Sequence, residues 1–160
     1  STMKTHISKK YAFLALFSLC CLGTTYASDD HDHSQEAHKE ITSPNGGRII
    51  TSVEPHFEFL LQADRTAKIT FIDDAGKPIP AAKQQISLTG GDRSAPVNID
   101  FVQKEGALLS VAPMPDIQKM PVVLQIKVTP DAKKVREKFY LNTSNCGSCS
   151  YLEYACICGH

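Results

Sequence analysis

The chain has 160 residues, 42% hydrophobic and 21% charged, with seventeen basic residues against seventeen acidic ones. Such a balance offers no electrostatic footprint for a nucleic acid. No Ser/His/Asp set or paired carboxylates stand out, so the chain reads as a binding protein and not an enzyme.

Lys4, Lys9 and Lys10 precede an apolar run over residues 11–22, which is too short to cross a bilayer comfortably. Thr25-Tyr26-Ala27 then offers small residues for cleavage before Ser28. Residues 1–27 are therefore expected to be a signal peptide that directs the chain to the periplasm or outside the cell. The alternative, an uncleaved anchor, is the one way in which the chain would meet a membrane. Cys20 and Cys21 fall inside the run, without the small residue expected ahead of a lipidated cysteine. Removing this segment takes away three lysines and no acids, leaving a net charge of −3. What remains is long enough for one core with tails.

Residues 28–43 carry almost no apolar side chains and are expected to be a disordered leader. His31, His33 and His38 lie there among Asp29, Asp30, Asp32 and Glu36. Imidazoles and carboxylates on a flexible tract bind zinc, copper, nickel or cobalt loosely and exchange them quickly. A merely solvated polar leader is the alternative. Pro44-Asn45-Gly46-Gly47 is a turn signal that ends the tract.

Residues 44–142 are the expected domain, and from Arg48 to Asn142 the pattern has period two. Phe57, Phe59 and Leu61 alternate with His56, Glu58 and Gln62, and Ala67, Ile69 and Phe71 with Lys68 and Thr70. The same holds for Ile86 and Leu88, for Val97, Ile99 and Phe101, for Val122 to Val128, and for Val135, Phe139 and Leu141. These are half-buried strands, with Phe57, Phe59, Ile69, Phe71, Ile99, Phe101, Leu124 and Ile126 expected inside. Turn signals separate them at residues 63–65, 73–78, 90–92, 104–106 and 129–131. Seven to nine short strands at this spacing predict an all-β fold, an antiparallel immunoglobulin-like β-sandwich, with a barrel as the alternative. The lysine-rich last strand suits an exposed edge. Met114 and Met120 read as gap fillers and His56 as a structural histidine.

Residues 143–160 hold the chemistry. The segment Cys146-Gly-Ser-Cys149-Ser-Tyr-Leu-Glu-Tyr-Ala-Cys156-Ile-Cys158-Gly-His160 places four thiols and an imidazole within fifteen residues. Thiolate and imidazole suit zinc and copper(I), and a tetrahedral ion needs four such donors. Cys146, Cys149, Cys156 and Cys158 are the expected ligands, with His160 as an alternate. Disulfides are the second reading, since the chain is expected to be exported. Every bridge would close within the tail, contributing only about 2–3 kcal/mol, whereas a structural zinc contributes roughly 10–16 kcal/mol. A segment without a core of its own is expected to be ordered by the ion. Thiol redox catalysis at Cys146-Gly-Ser-Cys149 is a third reading, but no thioredoxin-like pattern surrounds it.

The Asp/His-rich leader followed by Pro44-Asn45-Gly46-Gly47-Arg48-Ile49-Ile50 resembles the start of periplasmic adaptor subunits of heavy-metal efflux pumps of the cobalt-zinc-cadmium type. The stretch over residues 72–80 resembles a strand-turn-strand of small exported β-sandwich domains in metal-handling systems. The likeness covers about residues 29–90. Adaptors continue into barrel, lipoyl-like and hairpin domains, and this chain ends in the cysteine tail instead. The resemblance therefore implies a metal-efflux setting, with pump components as partners and a role as buffer or metallochaperone. A structural or interaction module with a zinc- or disulfide-closed cap is the rival expectation.

Overall fold

The computed structural model describes residues 40–158. The expected signal peptide, His31, His33, His38 and His160 lie outside the described residues. The strands run β1 (Arg48–Ile50), β2 (His56–Leu61), β3 (Ala67–Ile72), β4 (Pro78–Ile79), β5 (Gln85–Asp92), β6 (Ala95–Lys104), β7 (Ala107–Ser110), β8 (Lys119–Lys127) and β9 (Val135–Asn142). A 3-10 turn at Glu153–Ala155 follows in the tail. All pairings are antiparallel, in the order β1-β2-β3-β7-β6-β5-β8-β9, with β4 added on β3. The fold is thus the all-β antiparallel sandwich that the alternation predicts.

One strand joins the two layers. β6 pairs with β5 from Ala95 to Asp100, then with β7 from Phe101 to Lys104. This shared strand makes the sheet nearly closed. Phe101 stands at the change of partner and is only half-buried, unlike the other seven residues expected inside, which are buried. Between the layers, Phe59 of β2 meets Phe139 of β9 edge-on at 5.2 Å, and within one layer Phe57 of β2 meets its cross-strand partner Phe71 of β3 at 5.7 Å. Each such fully buried large side chain contributes about 1.5–3 kcal/mol. Met114 and Met120 are buried in the same core.

The turn signals hold with one correction. Glu105 and Gly106 both have positive φ, 52° and 78°, and join Lys104 to Ala107 as a two-residue hairpin turn. Residues 90–92 are not a turn. They end β5, and the chain reverses at Arg93-Ser94, where the Asp92 carboxylate accepts the Ser94 N–H at 2.8 Å. Gly90 sits within the strand because a Cβ there would come 3.2 Å from Leu88 and 3.3 Å from Met114. β7 is not legible from alternation, because Leu108 and Leu109 are adjacent.

On the face of β2 and β3 opposite the core, Glu58 and Thr70 are cross-strand neighbours. Alternation places Glu58 in solvent; it is fully buried. Residues 43–47 fold over it, and its carboxylate accepts the Asn45 N–H at 2.8 Å, the Asn45 amide at 2.8 Å, the Gly47 N–H at 3.0 Å and the Ser43 hydroxyl. Gly47 permits this approach, since a Cβ would lie 2.4 Å from the Phe59 carbonyl oxygen. Three of these donors reach Oε2 and one reaches Oε1, and a buried carboxylate is tolerable when both oxygens are hydrogen-bonded in this way.

Candidate metal centre

The tail is built on the open seam of the sandwich. β1 and β9 end the strand order, and the 3-10 turn packs against both. Tyr154 and Ala155 are 3% and 4% exposed and belong to the main core. The Tyr154 ring stands edge-on to Phe59 at 6.2 Å, and its hydroxyl accepts the Leu61 N–H at 3.0 Å. Its carbonyl accepts from Arg48 Nη1 at 3.3 Å, while the Arg48 guanidinium lies 5.0 Å from the centre of the Phe139 ring. Burial raises the Tyr154 phenol above its ordinary pKa of 10.0, so the ring stays neutral at physiological pH. The expectation that the tail has no packing of its own is therefore corrected: an aromatic anchor fixes it to the sandwich.

From this anchor the backbone returns the thiols to one another. Asn145 bridges Leu152, the Cys146 N–H donates to the Tyr151 carbonyl at 3.0 Å, and the Glu153 N–H donates to the Ser144 carbonyl at 2.9 Å. The result brings together Cys146, Cys149, Cys156 and Cys158, whose sulfurs all lie within 4.8 Å of one another. Cys146 Sγ is 3.2 Å from Cys156 Sγ, and Cys149 Sγ is 3.6 Å from it. A zinc ion with Zn–S bonds of about 2.3 Å sits in a sulfur tetrahedron with edges of about 3.8 Å. The cluster is compatible with such an ion.

The local backbone favours thiolates. In each half of the cluster the first cysteine accepts the N–H two residues on: Ser148 N–H to Cys146 Sγ at 3.4 Å, and Cys158 N–H to Cys156 Sγ at 3.2 Å. The CxC pair thus reproduces the turn of the CxxC pair. The Ser148 N–H, then the contact with Cys156, lower the Cys146 thiol from 9.0 to about 7. Its partner moves the other way: the hydrogen bond with Cys146, then burial, raise Cys156 to about 12. Cys158 is also raised: its hydrogen bond with Cys156 lowers it, but the contact with Cys149, burial and the negative charge of Cys149 and Cys146 outweigh this. Without an ion, thiolate charge therefore concentrates at Cys146; four thiolates together need a cation.

Cys146 is buried and the other three are half-buried. Among the described residues this is the cluster of metal-ligating side chains, and all four predicted cysteines are in it. His56 is elsewhere, with Nδ1 2.9 Å from the Val53 carbonyl and Nε2 3.3 Å from Glu54. Sequence reasoning missed Tyr154 and Arg48, which hold the site in place. The aromatic spacing of Tyr151 and Tyr154 between the two cysteine pairs was the available signal. Comparison with protein-family models, with curated proteins and with solved structures finds no match.

Proposed function

We propose that the protein is an exported metal-binding accessory protein, holding one zinc or copper(I) ion at Cys146, Cys149, Cys156 and Cys158. The observation that carries this reading is four sulfurs within 4.8 Å on paired N–H···S turns. Four donors closing one site favour zinc over copper(I), which is content with fewer. In this proposal His160 is an alternate ligand, and the His31, His33 and His38 segment collects ions loosely. The efflux setting draws its support from the likeness of the leader and residues 44–50 to pump adaptors, and the ion is buffered or handed to pump components in the periplasm.

The docking of Tyr154 favours a second reading, in which the ion closes a structural cap over the seam. Elemental analysis of anaerobically purified protein tests the shared claim: about one zinc or copper per chain is expected, and metal-free protein with reduced thiols contradicts it. Competition with a soluble chelator separates the two roles. A handling site gives up its ion while the sandwich stays folded. A cap releases it only on unfolding.

A further inference from the structure

The strongest asymmetry in the cluster lies between its sulfur pairs. Cys146 and Cys156 are 3.2 Å apart, inside the roughly 3–3.5 Å window of a near-attack geometry. Cys149 and Cys156, at 3.6 Å, fall just outside it. Both members of the close pair are held by backbone: Cys146 N–H on the Tyr151 carbonyl at 3.0 Å, and Cys156 N–H on the Glu153 carbonyl at 3.3 Å, directly after the buried Tyr154 and Ala155. Cys149 has no such backbone donation among the described hydrogen bonds, and the Cys158 N–H is given to Cys156 Sγ at 3.2 Å and to no carbonyl.

We propose that the metal site carries a redox latch: oxidation joins Cys146 to Cys156, across the two halves of the cluster, and not Cys146 to Cys149 within the CxxC turn. The pairing rests on the sulfur geometry; its consequence for metal rests on the proposed function above. The oxidant is an external disulfide, the class that prevails in oxidising compartments. The half-buried Cys156 sulfur attacks one sulfur of that disulfide as its proton passes to the departing sulfur, breaking the S–S bond and releasing a first thiol. The buried Cys146 thiolate then attacks the Cys156 sulfur of the mixed disulfide and releases the second. Two cysteines lose two electrons, the external disulfide gains them as two thiols, and the two cysteine protons end on those thiols. The bridge consumes two of the four donors and leaves Cys149 and Cys158, too few to close a tetrahedral site. The Tyr154 anchor involves no sulfur, so the tail stays docked while the ion is released.

The test uses the full reduced, metal-free chain, oxidised glutathione as the oxidant, and peptide mapping of the first bridge after the remaining thiols are blocked. Cys146–Cys156 is expected to dominate. A Cys149→Ser/Cys158→Ser double variant should form it within about threefold of the wild-type rate, and Cys146→Ser should slow bridging about tenfold. If Cys146→Ser does not fold, Cys156→Ser is used with the same expectation. A first bridge at Cys146–Cys149 or Cys149–Cys156, or an even mixture, overturns the proposal. A parallel arm adds one equivalent of zinc before the oxidant, and thiol loss should slow about tenfold or more. If the pairing holds but zinc gives no protection, the metal reading fails while the pairing stands.

Discussion

Two short segments without long strands are laid onto this sandwich, and they are fastened differently. Residues 43–47 are pinned by one buried carboxylate, Glu58, whose oxygens receive donors from Ser43, Asn45 and Gly47. Residues 145–158 are pinned by one buried aromatic, Tyr154, and carry four sulfurs that face each other. The two segments meet at a small cavity of about 80 Å³ between residues 40–43 and Tyr151, Ala155 and Ile157. The first segment is self-sufficient: every donor that reaches Glu58 comes from the chain. The second is not. Its thiols share two backbone N–H groups, and their charges are at odds, one thiol pulled down and two pushed up. The first cluster is met by donors from the chain; the second gathers four thiols in an arrangement compatible with a metal ion.

The largest way to break the comparison is to remove the aromatic anchor. Tyr154→Ala leaves a void beside Phe59 and frees the tail, and should cost about 4 kcal/mol in denaturant-induced unfolding. The contrast predicts that it also weakens metal binding, because the ligands lose their preorganised backbone. Equal affinity in Tyr154→Ala and wild type would show that the tail folds around its ion alone.

Glu58→Ala is the matching cut on the other segment. It strands the donors of Asn45 and Gly47 and should cost about 3 kcal/mol. Metal affinity should hardly change, since none of these groups touches a sulfur. A parallel loss of metal binding would join two sites that are here kept separate.

A smaller effect comes from the ion. Zinc at about 100 times its Kd should stabilise the reduced chain by about 2.7 kcal/mol in thermal or denaturant unfolding. Cys146→Ser should remove that gain while leaving the metal-free fold in place. Stabilisation that survives Cys146→Ser would move the site elsewhere.

The smallest effect is that of pH on the metal-free chain. Cys146 is lowered from 9.0 to about 7, so the stability it contributes is complete above pH 9 and fades as pH falls through 7. Cys156 is raised to about 12, so its contribution is complete below pH 9 and is lost only as pH rises through 12. Between pH 9 and 7 Cys146 therefore governs the difference between the two, and unfolding midpoints should fall slightly as pH drops across that range. Cys146→Ser should flatten the trend. A rise in stability toward pH 7 would contradict the thiolate assignment.

Much of the sandwich was legible because alternation reports which face a strand buries. Phe57, Phe59, Ile69 and Leu124 obey it. It fails where a second layer of chain covers the outer face. Glu58 follows the rule for a solvent-facing residue and is buried because residues 43–47 return over it, a contact between positions that no local period encodes. Phe101 fails for another reason, since β6 changes layers there. The four ligands were legible because cysteine spacing is chemical and local. Their support was not: Tyr154 reads as one of two tyrosines between the cysteine pairs until β1 and β9 are seen to leave a seam for it.

The most direct test of the central claim is titration of the reduced chain with cobalt(II), read by absorbance, beside a Cys146→Ser/Cys149→Ser variant. The account predicts a thiolate-to-cobalt charge-transfer band that saturates near one equivalent in the wild type, is displaced by zinc, and is lost in the variant. No such band in the wild type, or the same band in the variant, would contradict it and leave the tail as a cap held by Tyr154 alone.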